Sequence, residues 1–303
     1  MMNLTILGCY AATPRTFTNP TSQVLEIKNH LFLIDCGEGT QVQLRKSKIK
    51  FSRIKHIFIS HLHGDHFYGL IGLISTFRLL NRTQELHIFG PVGIKEIILL
   101  QLKYADSWTN FSLVFHELVS KESELILDEE NLTVTTIPLN HRIYTNGFLF
   151  REKLGQRRIN IDEVGKHEIE ICDYQNLKNG KDYLTGQNKI IPNQRLTFDP
   201  PNPKSYAYCS DTVFNPGITS QIKGVDVLYH EATFLDEHQK LAAPTKHSTA
   251  KQAAEIARQA KVGKLVLGHY STRYGSIQPF LEEAQSIFEQ TLLADDGKVF
   301  CFD

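Results

Sequence analysis

The chain has 303 residues, 41% of them hydrophobic, and its 33 basic and 33 acidic residues leave no net charge. That length supports one large core domain, or a domain carrying an insertion. Neutrality excludes a bulk electrostatic pull toward nucleic acid, so an anionic partner must be held by local patches.

Short apolar runs bounded by turn residues predict strands at 4–7, 24–27, 31–34 and 57–60, with a short helix over 39–46. The first run lacks the basic and long apolar regions of a secretory signal. Helical spacing follows at 69–80 and 93–105, among strands at 86–89, 112–115 and 132–138. The pattern breaks over about 148–203, a polar, weakly periodic stretch with Gly155, Gly165, Gly180, Gly186 and a cluster of Pro200, Pro201 and Pro203. Structureless loops of this length are unusual inside compact domains and commonly functional, so the stretch reads as an inserted arm on a single domain spanning 1–303. Strands at 206–209, 225–229, 264–267 and 298–302 and helices at 249–260 and 277–288 complete the chain, with Ser248 read as the N-cap of the first. Such alternation predicts sheets covered by helices. No apolar run reaches the length of a membrane span. The five cysteines are scattered without CxxC spacing and read as buried thiols in a reducing compartment, which points to the cytoplasm.

The most specific segment is His61-Leu62-His63-Gly64-Asp65-His66, behind the apolar run at 57–60. It packs four potential ligands into six residues. His61 and His63 lie on one side of an extended chain. Gly64 permits a tight turn that presents Asp65 and His66 at the start of the next helix, so one segment faces two ions, as a two-metal hydrolytic site requires. Further donors must come from other strand ends, and His141, Asp211 and His269 each follow a predicted strand. Imidazole and carboxylate without thiolate suit zinc. His30, His87, His116, His167 and His238 sit in no cluster and read as surface or core residues.

The hexapeptide is the HxHxDH signature of the metallo-β-lactamase superfamily. Together with Asp35-Cys36-Gly37-Glu38-Gly39-Thr40-Gln41, Ser210-Asp211-Thr212, His230-Glu231-Ala232-Thr233-Phe234, His247-Ser248-Thr249 and His269-Tyr270-Ser271-Thr272-Arg273-Tyr274, it makes the whole chain resemble the short form of the ribonuclease Z family. The resemblance implies an α/β fold, a four-layer αβ/βα sandwich. It implies two zinc ions per subunit, one on His61, His63 and His141, the other on Asp65, His66 and His269, with Asp211 bridging. It implies an endoribonuclease that removes 3′ trailers from tRNA precursors by in-line hydroxide attack, leaving a 3′ hydroxyl on the tRNA and a 5′ phosphate on the trailer. Asp65 then accepts the nucleophile's proton, His247 is the general acid and Glu231 its partner. Thr233 and Arg273 are expected phosphate contacts. A homodimer is implied, one subunit's arm serving the other's site. The arm keeps the turn Leu177-Lys178-Asn179-Gly180 but has Ile171-Cys172-Asp173-Tyr174 where the family usually carries a Gly-Pro pair. A basic run at 45–55, free of acidic residues, is a second candidate RNA contact. The alternative is a small-molecule phosphodiesterase or arylsulfatase of the same fold.

Overall fold

Two seven-stranded sheets are found among the described residues, 2–13 and 15–302 of a computed structural model. The first has the order Val299–Phe302, Met2–Gly8, Ser22–Ile27, His30–Ile34, Ile54–Phe58, Leu86–Pro91, Leu113–Leu118, the last four strands parallel. The second has the order Thr291–Leu293, Lys264–Gly268, Val227–Glu231, Ser205–Cys209, Asn146–Glu152, Leu132–Pro138, Leu125–Asp128, the first four parallel. Parallel strands send their carboxyl ends to one edge, where open α/β sheets place their sites.

The sheets meet through aromatic layers. Phe58 packs on Phe148 at 5.3 Å between ring centroids, and Phe32 on Phe150 at 5.2 Å. Helices cover the outer faces. Leu70–Leu79 buries Leu70, Leu73, Ile74 and Phe77, and Ile94–Tyr104 buries Ile94, Ile98 and Leu102, a helical stripe in each case. Ala250–Ala260 lays small residues against the second sheet, and its start is fixed by a capping box between Thr249 and Gln252. The cap is thus Thr249 and not Ser248, whose hydroxyl donates to the Thr212 carbonyl at 2.7 Å. The result is the four-layer αβ/βα sandwich expected, and no helix is long and apolar enough to cross a membrane.

Three strands of the two large sheets escaped the sequence reading, Leu125–Asp128, Asn146–Glu152 and Thr291–Leu293, as did the four two-residue strands within the arm. The second is buried from Asn146 to Phe150, so it shows no alternation, and Gly147 disguises it further. It belongs to the sheet, which moves the start of the arm from 148 to about 153. The arm is folded around its own small core of Val164, Ile169, Leu177, Ile191 and Leu196. Its Leu177–Gly180 turn ends the helix Tyr174–Lys178, with Gly180 at φ 84°. All five cysteines are free, but Cys172 and Cys301 are exposed, against the expectation of five buried thiols.

His56 lies 8% exposed on the inner face of the first sheet, its ring 5.2 Å from that of its cross-strand neighbour His87. Burial, reinforced by His87, His30, Lys55 and His116, pulls it from 6.5 down to about 4, while Glu129 faces it at 3.9 Å. The unfolded chain takes up this proton near pH 6.5 and the folded chain does not, so His56 costs nothing above that pH and destabilises the fold as pH falls toward 4. Between those limits, equilibrium unfolding of the wild-type chain should lose on the order of 3 kcal/mol more than that of His56→Phe. Parallel stability–pH curves for the two proteins would refute this.

Candidate metal centre

Every expected ligand arrives at the shared edge. The strand Ile54–Phe58 ends three residues before His61, and Gly64–Phe67 forms a single helical turn with His63 as its N-cap. Asp65 and His66 therefore lie within a turn separate from the helix Leu70–Leu79. The loop that follows His30–Ile34 closes in beneath the motif. A side chain at Gly69 would meet the Gly37 carbonyl at 2.0 Å, so that approach needs glycine. His141 follows Leu132–Pro138, Asp211 follows Ser205–Cys209, and His269 follows Lys264–Gly268. His269 is held at φ 61°, an uncommon conformation for a side chain bearing a ring, while its amide donates to the Cys9 carbonyl at 2.7 Å.

Two groups of donors result. In the first, His61 Nε2 lies 2.9 Å from His63 Nδ1, which lies 3.3 Å from His141 Nε2. Asp211 Oδ2 is 3.6 Å from His61 and 3.8 Å from His141. In the second, His66 Nε2 is 3.4 Å from both His269 Nε2 and Asp65 Oδ2. Asp211 Oδ1 lies 3.4 Å from His66 and 3.2 Å from His269, so one carboxylate serves both groups. Burial alone would push Asp211 up, but His269, His66 and His61 hold it well below the usual carboxylate range. Asp65 is likewise held low against burial, by His66 and His269.

The outward ring nitrogens test whether this set fits a metal. His141 Nδ1–H donates to the Lys246 carbonyl at 2.9 Å, His66 Nδ1–H to Asp35 Oδ2 at 2.7 Å, and His269 Nδ1–H to Thr233 Oγ1 at 2.9 Å. Ser60 Oγ donates to Asp35 at 2.8 Å and so accepts from His61 Nδ1–H at 3.0 Å. Four rings thus turn an Nε2 lone pair inward, toward carboxylates that only accept. A cluster of acceptors this dense is reconciled by cations, and the outer partners are those that orient metal-bound imidazoles. The set fits metal ions.

Asp35, with Ser60 and Tyr208, belongs to this outer layer and had no role assigned from the sequence. It is fully buried at φ 54° and accepts from the Ser60 amide and hydroxyl, His66 and the Tyr208 hydroxyl, at 2.7, 2.8, 2.7 and 2.6 Å. Its quoted motif marked a strand end but gave no sign of these partners.

Glu231, the last residue of Val227–Glu231, is fully buried. Its Oε1 accepts from the Thr212 amide at 3.0 Å and from His247 Nδ1–H at 2.9 Å, and its Oε2 from the Thr233 amide at 2.9 Å and hydroxyl at 2.7 Å. Burial works against protonation of His247, but the Glu231 carboxylate outweighs it and raises the imidazole from 6.5 to about 9. The His247 ring stacks on that of His269 at 5.4 Å, at the margin of the donor cluster. Thr233 is placed differently from the phosphate contact expected. It is 4% exposed, and its hydroxyl is spent between Glu231 and His269. Arg273 is exposed in the loop after His269. Beside Asp65 opens a cleft of about 390 Å³ lined by Tyr10, Thr18, Glu38, Gly64 and Tyr68 among others.

This chain is similar to known proteins over its full length. A Ribonuclease Z of Bacteroides thetaiotaomicron is 50% identical over 294 residues, 97% of this chain and 93% of that one. A Ribonuclease Z of Phocaeicola vulgatus is 50% identical over 289 residues, covering 95% and 94%. The solved structure of human tRNase Z, short form, superposes with a TM-score of 0.73 at 30% identity, covering 99% of this chain and 98% of that one. A metallo-beta-lactamase fold protein of Bacillus subtilis gives 0.69 at 17% identity over 99% and 98%, a likeness of fold alone. The family model described as Anti-Pycsar protein Apyc1 matches residues 2–158. That match ends before Asp211, Glu231, His247 and His269.

Proposed function

The chain belongs to the ribonuclease Z family, its residues 2–158 also matching the family described as Anti-Pycsar protein Apyc1, and from this we propose that it is a tRNA 3′-processing endoribonuclease acting on tRNA precursors. His61, His63 and His141 with Asp211 would hold one zinc ion, and Asp65, His66 and His269 with Asp211 would hold the other. Bound there, the ions supply Lewis acidity and acidify water near neutral pH.

The chain's own groups move the protons. Asp65, at the mouth of the cleft, accepts the proton of the water that attacks phosphorus. The P–O3′ bond breaks as the new P–O bond forms, which leaves the trailer with a 5′ phosphate. The departing 3′ oxygen takes its proton from His247 Nε2–H, the nitrogen left free by the Nδ1 bond to Glu231. Thr233 holds both Glu231 and His269 in place. Arg273 is the phosphate contact beyond the ions, its fork suited to that group.

The observation that carries this reading is the His247–Glu231 pair set against the donor cluster. A proton donor matters when the leaving group is a poor one, as a ribose 3′ hydroxyl is. Pre-tRNA should therefore be cut at the 3′ end of its mature sequence. Turnover of bis(p-nitrophenyl) phosphate with no cutting of pre-tRNA would favour the small-molecule phosphodiesterase instead.

The arm serves as the RNA exosite, in a homodimer whose mass in solution is twice that of the chain, and the protein is cytoplasmic. Its two ends meet, since Arg151 pairs with Ser205 and the Glu152 amide donates to the Lys204 carbonyl at 2.8 Å. Residues 154–202 can thus be replaced by a two-residue turn without disturbing the sheet. That deletion should raise KM for pre-tRNA at least about tenfold, a modest share of the phosphate contacts such a grip makes, and leave bis(p-nitrophenyl) phosphate hydrolysis unchanged. Pre-tRNA cleavage at the wild-type KM would rule out the exosite.

A further inference from the structure

Donors from both sheets converge on one buried carboxylate. Asp35 Oδ2 accepts from His66 Nδ1–H at 2.7 Å, from the Ser60 hydroxyl at 2.8 Å and from the Tyr208 hydroxyl at 2.6 Å, and its Oδ1 accepts from the Ser60 amide at 2.7 Å. The Ser60 oxygen also lies 3.0 Å from His61 Nδ1. Asp35, Ser60, His61, His66 and Tyr208 are all fully buried, so bulk solvent does not compete for these protons. Asp35 follows the strand His30–Ile34, where its amide donates to the Phe58 carbonyl at 2.8 Å and its carbonyl accepts from the Ser22 hydroxyl at 3.0 Å. Tyr208 comes from the opposite sheet, on the strand Ser205–Cys209 that also delivers Asp211, and its ring stacks on that of Tyr229 at 5.2 Å. Among the described residues, the only ion pair of Asp35 is with His66.

These contacts fix the protons of two rings. An ionised carboxylate accepts and does not donate, so each of its partners must donate. A neutral His66 therefore carries its proton on Nδ1. A serine hydroxyl has one proton. Spent on Asp35, it leaves Ser60 only a lone pair for His61, so a neutral His61 also carries its proton on Nδ1. Both Nε2 lone pairs are thereby turned toward the donor groups, one in each: His61 stands with His63 and His141, His66 with Asp65 and His269. With a neutral group at position 35, the Ser60 hydroxyl is free to turn its proton onto His61 Nδ1. That would move the ring's own proton to Nε2 and close it to a metal.

We propose that Asp35 selects the ligating tautomer in both metal sites at once, directly at His66 and through the Ser60 hydroxyl at His61, with Ser60 and Tyr208 as its positioning residues. Loading of the two sites is then linked through a carboxylate that neither site uses as a ligand. It also depends on the contact between the sheets, because Tyr208 reaches Asp35 from the opposite one. The inference rests on the metal reading of the site and is indifferent to which phosphodiester is cut.

The test reads zinc affinity and ring protons in the full-length protein, without turnover. Titration of zinc against a chromophoric chelator should resolve two binding steps in the wild type. Ser60→Ala should weaken one step by about 10–100-fold, the usual cost of losing an outer partner of a metal-bound imidazole, and leave the other within about twofold. Tyr208→Phe should weaken both by about tenfold. Asp35→Asn, which suits the same left-handed backbone at φ 54°, should weaken both more strongly. In the zinc-loaded protein, Ser60→Ala should also lose the His61 Nδ1–H resonance and keep that of His66. A merely structural role would lower the melting temperature of the metal-free protein without separating the two steps. Zinc binding in Ser60→Ala or Tyr208→Phe equal to that of the wild type, or an equal loss in both steps for Ser60→Ala, would overturn the proposal and leave the metal assignment standing. A wild-type chain that takes up no zinc would sink that assignment, and this inference with it.

Discussion

Replacing Asp211 by Ala is expected to cost activity on the order of 10³-fold or more on every phosphodiester, together with most of the bound metal. The carboxylate lies within 3.2–4.0 Å of a ring nitrogen on each of His61, His66, His141, His247 and His269. It is the one anion common to both donor groups and is 3% exposed. Without it the inward lone pairs face one another with a single carboxylate, Asp65, to attract cations. Elemental analysis should find two zinc ions per wild-type chain and fewer than one in the variant. The fold should survive, because the sheets that carry the ligands are held by aromatic layers elsewhere. An Asp211→Ala protein with full metal and full activity would dismantle the two-site assignment.

His247→Ala should behave in a more selective way. Loss of a general acid costs about 10²–10⁴-fold on a substrate whose leaving group must be protonated. Pre-tRNA is such a substrate. p-Nitrophenolate leaves without a proton, so bis(p-nitrophenyl) phosphate hydrolysis should fall far less. The pH profile supplies a second readout. An acid must be protonated to act, so pre-tRNA turnover declines as pH rises through the His247 pKa, lifted toward about 9 by Glu231. In Glu231→Gln the lifting charge is gone and burial dominates, which moves that alkaline limb to lower pH. Equal losses on both substrates, or an unmoved limb, would assign His247 to structure and not to proton transfer.

These expectations show how unevenly the sequence disclosed the site. The donors in His61–His66 were legible because metal-ligand chemistry is a property of side-chain type, and four such side chains in six positions leave little else to explain. His141, Asp211 and His269 were legible because short apolar runs mark strands, and strand ends converge. Thr233 was singled out from its motif as an expected phosphate contact, and its surroundings were not legible. Its neighbours in the sequence do not reveal that its hydroxyl is shared between Glu231 and His269. Asp35 and Tyr208 stayed without a role because their contact, 173 positions apart in the chain, exists only when the two sheets face each other. The strand Asn146–Glu152 hid for a related reason: burial on both faces erases the alternation by which strands are recognised.

The sequence by itself determined the donor types, the αβ alternation, and the likeness to a family of RNA-processing metalloenzymes, since composition, periodicity and motif are local. Only the tertiary structure decided which donors share a group, which nitrogen of each imidazole turns inward, and where the arm departs from the sheet. Those properties depend on which groups meet across the packed sheets, and burial then makes each missing or supplied partner energetically consequential.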